Sequence, residues 1–284
     1  MLETIVQSGN SLSSIAKKFG IPLSALIAAN QITDPNQLKV GQKLLIPSVT
    51  TDEASLPTRP PAPTPVPSAL SIDRKKFALA AGQFFTEEFP KDLLVLHFTA
   101  GQSARSAYDT WRGTPLQVAT AYVVDTDGSI YECFSPRAWA YHLGVTGAAS
   151  VNWEHDKRSI GIEIANPGQL VIDKTNPQQL NWWPGDFTAK WCTLAETTKY
   201  VAAPYRGFSY FAAFPTVQSD AVIALVDHLC QAFSISKVLP PSAQQPEFDM
   251  SFFNTFKGIA THQNFRKDKT DVGPAFPLAR LGNG

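Results

Sequence analysis

Six prolines crowd into residues 57–67, PTRPPAPTPVP, where Val66 is the one bulky apolar residue besides them. Such a stretch buries too little surface to fold and favours extended polyproline geometry. At roughly 3.1 Å per residue it is a semi-stiff spacer. No single hydrophobic core can run through it. Two separate folds are therefore expected: a small one in residues 1–48, a linker over 49–70, and a larger one over 71–284. The total length of 284 residues agrees with two domains.

Charge narrows the function classes. Lys plus Arg and Asp plus Glu number 24 each, so there is no basic footprint for nucleic acid and no polybasic patch for a membrane surface. No apolar run approaches the ~20 residues that a spanning helix needs, so membrane insertion is not expected. The opening MLETIVQSGNSLSSIAKKFG lacks the basic start, apolar stretch and cleavage site of a secretory signal. Cys133, Cys192 and Cys230 are an odd number without a CxxC pair. Three buried thiols are the plainer expectation than a disulfide framework or a thiolate zinc knuckle, with one disulfide left open.

In the small unit, Thr4–Val6 reads as a strand and Ser8-Gly9-Asn10 as a turn. Ser11 or Ser13 can cap a helix with Leu12, Ile15, Ala16 and Phe19 on one face. Pro22 opens a second helix carrying Leu23, Leu26 and Ile27, and Lys43–Ile46 is a closing strand. This strand–helix–helix–strand order, with Gly9, Leu12, Ile15, Ala16, Asn30, Gly41 and Ile46-Pro47, resembles the LysM module. The resemblance implies binding to polymers of N-acetylglucosamine such as peptidoglycan or chitin.

The larger unit reads as α/β (α+β), a mixed central β-sheet flanked by helices. Leu93–Leu96 is a continuous apolar run suited to a strand buried on both faces. Asp127-Gly128 between Ala121–Val124 and Ile130–Cys133 signals a hairpin. In Ile160–Ile164 the isoleucines alternate, which turns Glu163 to the opposite face. Val217, Ala221, Leu225, Leu229 and Phe233 recur every four residues, suggesting an amphipathic helix. Residues 170–215 form an aromatic-rich insertion in which Trp182-Trp183 reads equally well as a glycan platform or as a cover over the core.

Chemistry concentrates near the C-terminus. His262 and Asp271 offer an imidazole and a carboxylate as metal ligands, with the ammonium of Lys269 two residues before the carboxylate. Positions i and i+2 of an extended segment share a side, so Lys269 and Asp271 can face one pocket. His97, emerging from the buried strand, is the candidate third ligand for an open zinc site. His228 reads as a surface residue of its helix. His155, within Glu154-His155-Asp156-Lys157, reads as solvated.

The segments VLHFTA, AYVVDTDGSIYECF, AYHLGV, SIGIEIAN and THQNFRKDKTDVGPAF together resemble, in order, the zinc-dependent N-acetylmuramoyl-L-alanine amidases of the amidase-2 family. That fold is shared with peptidoglycan recognition proteins. The resemblance implies Zn2+ held by His97, His262 and Asp271, with Glu163 as general base. It also implies Lys269 at the oxyanion and His142 in substrate or transition-state contact. Peptidoglycan is then the partner, bound through its glycan by LysM and through its stem peptide by the amidase cleft. The expected site of action is the cell wall, reached by a phage holin, a dedicated secretion system or a removed signal. Departures from the pattern are Ala121 where histidine is frequent, Thr261 for glycine and Val272 for proline, which bear on substrate fit. Two rival readings are a non-catalytic peptidoglycan sensor or adhesin, and a cytosolic amidase recycling muropeptides.

Overall fold

The computed structural model describes residues 2–7, 15, 18–19, 26, 29–30, 32, 39, 41–46, 70–144 and 153–282. The chain divides into two compact units, residues 1–64 and 65–284, and the division falls inside the proline-rich run. Among the described residues no helix is long and apolar enough to cross a membrane.

In the small unit, β1 (Leu2–Ile5) pairs antiparallel with β2 (Lys43–Ile46). The expected first strand therefore begins and ends earlier than Thr4–Val6. Ile15, Lys18, Phe19, Leu26 and Ala29 are helical, and Val6, Ile15, Leu26, Leu44 and Ile46 form the core. Asn30 ties helix to strand: its amide donates to the carbonyls of Leu26 and Leu45, and its oxygen accepts from Leu45 N–H at 2.7 Å. Gly9, Leu12, Ala16 and the proposed caps Ser11 and Ser13 lie outside the described residues.

The large unit is built on a six-stranded mixed sheet. Its strands are β3 (Ile72–Asp73), β4 (Leu93–Phe98), β5 (Tyr122–Val124), β6 (Ile130–Glu132), β7 (Ser159–Ile164) and β13 (Gly258–Thr261), in spatial order β13-β4-β7-β5-β6-β3. β13, β4, β7 and β5 run parallel, and β6 returns antiparallel through the Asp127-Gly128 turn. Gly128 has φ +83 there, a conformation glycine adopts without strain.

Alternation along β4 buries both faces. Leu94 and Leu96 join the main core with Ile160, Ile162 and Ile164, whereas Leu93 and Val95 pack with Leu143, Phe253, Ala260 and Phe265 on the other side. Helices α1 (Ala104–Arg112) and α3 (Thr216–Phe233) pack on the main core, and α2 (Trp153–Arg158) leads directly into β7. The stripe of α3 is rotated from the expected one. Val217 is exposed, and Gln218, Ser219, Val222, Leu225, Val226, Leu229 and Cys230 face inward, because the core wants the i, i+3, i+4 face rather than a strict fourfold repeat. A short helix, α4 (Met250–Phe253), precedes β13.

Residues 169–212, which nearly coincide with the 170–215 stretch read from sequence as an insertion, form a second sheet of five antiparallel strands. These are β8 (Gln169–Ile172), β9 (Gln179–Trp182), β10 (Ala189–Thr193), β11 (Tyr200–Tyr205) and β12 (Phe208–Ala212), ordered β10-β9-β8-β12-β11. It has its own small core of Leu170, Leu180, Cys192 and Ala212. Cys133, Cys192 and Cys230 are all free and buried.

Candidate active site

Strand register assembles the site. Across β4 and β7, Leu93 faces Ser159, Val95 faces Gly161 and His97 faces Glu163. Side chains two apart share a face, so His97 and Glu163 stand side by side, opposite the isoleucine core. β13 pairs with β4 so that Thr261 lies beside Leu96, and His262 follows as the first residue of a 3-10 turn, His262–Asn264. Asn264 closes that turn, its side-chain oxygen accepting from Thr261 N–H and Oγ1 at 2.9 Å each. Three neighbouring parallel strands thus deliver His97, Glu163 and His262 at their C-terminal ends, the usual ligand end of parallel sheets.

His97 Nδ1 is 3.0 Å from His262 Nδ1 and 3.4 Å from Asp271 Oδ2, and His262 Nδ1 is 2.9 Å from Asp271 Oδ2. All three residues are buried. Ligands held at ~2.1 Å by a tetrahedral zinc ion lie roughly 3.4 Å apart, so this triangle is close to the right size.

The hydrogen-bond chain behind His97 supplies a second test of fit. Ser159 Oγ donates to the His155 carbonyl at 2.5 Å, which commits its one proton. Toward His142 Nε2, 2.9 Å away, the hydroxyl can only accept, so Nε2 carries the hydrogen of that ring. Burial pushes the pKa of His142 well below normal and that of His97 down to about 4, helped in each case by neighbouring histidines. Both rings are neutral at pH 7. His142 Nδ1 is then bare and accepts from His97 Nε2 at 3.0 Å, which leaves His97 Nδ1 bare as well. A lone pair therefore faces the Asp271 carboxylate. Burial penalises that carboxylate, yet His262 beside it holds its pKa well below the usual range. Two converging lone pairs in a buried site are what a cation between them would neutralise. The residues fit a metal.

His142 is itself held from two sides. Asp156 Oδ1 accepts from the backbone N–H of His142 and Leu143, each at 2.9 Å. A Cβ on Gly161 would lie 3.1 Å from His142 Nδ1 and 2.9 Å from Thr120 Cγ2, so glycine makes room for the ring against β7. His142 contacts His97 directly, a placement the sequence did not foretell.

A cavity of about 360 Å³ opens over this cluster, and its lining includes His97, His142, Glu163, His262, Lys269 and Asp271. All six residues singled out from sequence meet in it. Burial, reinforced by Asp271 and opposed by Lys269, pushes the Glu163 pKa up to about 8. His155 corrects the sequence reading. It is buried rather than solvated, with Nε2 3.1 Å from Asn254 Oδ1 and Nδ1 accepting from Arg158.

Arg206 is a residue that sequence reasoning passed over. It sits in the β11–β12 turn with Gly207, both at positive φ, as a two-residue hairpin turn demands. Its guanidinium donates to the carbonyls of Pro246, Gln263, Arg266, Lys267 and Lys269. Gln169 of β8 accepts from Thr270 Oγ1 at 2.8 Å. The second sheet therefore grips the loop that carries Lys269 and Asp271.

The family model for N-acetylmuramoyl-L-alanine amidase matches residues 88–274, and that for the LysM domain matches residues 4–47. The chain belongs to the N-acetylmuramoyl-L-alanine amidase family. The amidase domain contains every candidate residue above. A curated relative, the N-acetylmuramoyl-L-alanine amidase XlyA of Bacillus subtilis (strain 168), is 33% identical over 91 residues, which are 30% of this chain and 30% of that protein. Among solved structures, AmpDh3 from Pseudomonas aeruginosa overlaps with a TM-score of 0.40 at 18% identity, covering 75% of this chain and 65% of that one. The amidase LysC from Clostridium intestinale URNW overlaps at 0.39 and 15% identity, covering 74% and 94%. Scores this low add no weight; the family match carries the assignment.

Proposed function

We propose that the chain hydrolyses the amide bond between the lactyl group of N-acetylmuramic acid and L-alanine in peptidoglycan. The observation that carries this reading is the convergence of His97, His262 and Asp271 on one point, in a cavity shared with Glu163 and Lys269. Two imidazoles and a carboxylate suit zinc and leave a fourth position open. Zinc held by these three residues would supply Lewis acidity and make water at the site easier to deprotonate.

The chain's own groups divide the remaining work. Glu163, whose ionised form a cation held by the adjacent triad would favour against the burial that raises its pKa, takes a proton from the attacking water at its carboxylate, and the water oxygen bonds to the lactyl carbonyl carbon. The same proton then passes to the alanine nitrogen as the C–N bond breaks, leaving a lactyl carboxylic acid and a free amino terminus. Lys269 Nζ faces the carbonyl oxygen as negative charge develops on it. His142 acts through His97, holding its tautomer and ring direction, rather than through the substrate.

We assign residues 1–48 to a peptidoglycan-holding LysM domain, 49–70 to the linker and 71–284 to the amidase. Tethering to the polymer raises the local concentration of stem peptides without any change at the active site. Action at the cell wall follows from that pairing. Mass spectrometry of digested sacculi tests the reading. Zinc-loaded protein is expected to release new L-alanine amino termini, with Glu163→Ala and His262→Ala as inactive controls. If the zinc-loaded protein releases none, a non-catalytic sensor on the same fold replaces it.

A further inference from the structure

Trp182 and Trp183 are consecutive but serve different surroundings. Trp182 packs on the small core of the second sheet with Leu180 and Cys192. Trp183 leaves that core and lines the catalytic cavity together with Glu163, Lys269 and His97. The residue is 43% exposed, so a large apolar side chain is accessible beside the reacting groups. Gln169, Asp268 and Thr270 line the same cavity, with Thr270 Oγ1 donating to Gln169 and Asp268 paired with Arg266. Phe187 lies 6.3 Å from Trp183 and Phe208 lies 5.9 Å from Phe187, measured between ring centres, so the indole belongs to an aromatic row that runs into the second sheet.

An exposed tryptophan in a cavity whose lining also carries amide, hydroxyl and carboxylate side chains matches a sugar better than a peptide. A pyranose ring offers a flat patch of C–H bonds, which the electron-rich face of indole attracts, while its hydroxyl and acetamido groups point outward to polar partners. The stem peptide offers no comparable flat surface. The bond proposed above to be cut has a saccharide on one side and a peptide on the other, so one flank of the cavity must receive a sugar.

We propose that Trp183 is the stacking platform for the N-acetylmuramoyl ring, and that the second sheet is the element that brings it to the cleft. This rests on the amidase reading and names the part of the substrate that the second sheet recognises. Trp182 is its structural anchor and takes no part in binding.

Two soluble substrates test the assignment on the full zinc-loaded chain: a disaccharide-peptide, and a lactoyl-peptide that keeps the scissile amide but lacks the sugar. In Trp183→Ala the ratio of kcat/KM on the first to that on the second is expected to fall about tenfold, the size of a lost stacking contact. The loss should sit mainly in KM, and Trp183→Phe should recover most of it. A ratio within twofold of wild type, whether both activities fall together or neither changes, overturns the proposal. If wild type cleaves neither substrate, the amidase reading fails by itself, and calorimetric binding of the disaccharide-peptide then decides the subsite. Weaker binding to Trp183→Ala than to wild type upholds it, and equal binding overturns it. Contributions from the LysM unit cancel in that comparison.

Discussion

The Ser159 hydroxyl lies 2.9 Å from Nε2 of His142 and, by accepting there, leaves Nδ1 of His97 without a proton. A serine two contacts away thus sets which nitrogen of His97 faces Asp271. Partners behind a metal-binding histidine are worth roughly 10–100-fold in metal affinity. Ser159→Ala is expected to bind zinc that much more weakly in competition with a chromogenic chelator, and Ser159→Thr to stay near wild type. Affinity within twofold for Ser159→Ala would sink the relay.

Glu163 and Lys269 are assigned chemistry, not metal binding. Glu163→Gln should lower kcat by roughly 10²–10⁴-fold, the usual worth of a general base. Lys269→Ala should lower it by about 10²–10³-fold, as for a lost oxyanion donor. Zinc content measured by atomic emission should match wild type in both. Loss of zinc from either would move that residue into the metal site.

Asp156 makes a pH-dependent stability difference. Burial, partly offset by the backbone N–H groups of His142 and Leu143 and by Lys91, raises its pKa to about 7, against an ordinary value of 3.8. Its Oδ2 has no hydrogen-bond partner, as suits a protonated carboxyl. A group raised in the folded state stabilises fully below its unfolded pKa and loses that contribution as pH rises through the folded one. The melting temperature of wild type should therefore fall between about pH 4 and 7 relative to Asp156→Asn, by about 2–4 °C for each kcal/mol lost. Parallel melting curves for the two proteins across that range would contradict the assignment.

Arg206 ties the β11–β12 turn to five carbonyls, three of them in the loop carrying Lys269. Hydrogen bonds to a charged donor are worth about 1.5–3 kcal/mol each, with incomplete additivity. Arg206→Ala should speed hydrogen exchange across residues 263–271 and lower kcat, while exchange in β4 and β7 stays slow. Unchanged exchange in that loop would mean the grip is dispensable.

Much of the larger fold can be read from the sequence because its signals are local. The apolar run at Leu93–Leu96, the Asp127-Gly128 turn and the alternation around Glu163 each mark a strand within a few residues. His97 beside Glu163 is different: their pairing joins strands more than 60 positions apart, and no local pattern carries register. The second sheet escaped because its strands are short and mix polar with aromatic residues, broken by turns such as Asn176-Pro177 and Pro184-Gly185. Arg206 escaped because its partners are backbone carbonyls, which leave no trace in residue identity. The charged neighbours of His155 mislead because a six-residue helix can expose Glu154 while burying His155 and Asp156 together. Trp182 and Trp183 could not be told apart until the end of β9 was located.

The shared register of β4 and β7 has a consequence for how such a site persists. A slip of β7 by one residue against β4 would swing Glu163 into the isoleucine layer and expose isoleucines to the cleft, and a slip of β4 would turn His97 inward in the same way. Every such misalignment would place an imidazole or a carboxylate in oil, so the misassembled chain is also the less stable one. Quality control that removes poorly packed molecules therefore removes mis-set catalysts too, with no separate check on chemistry.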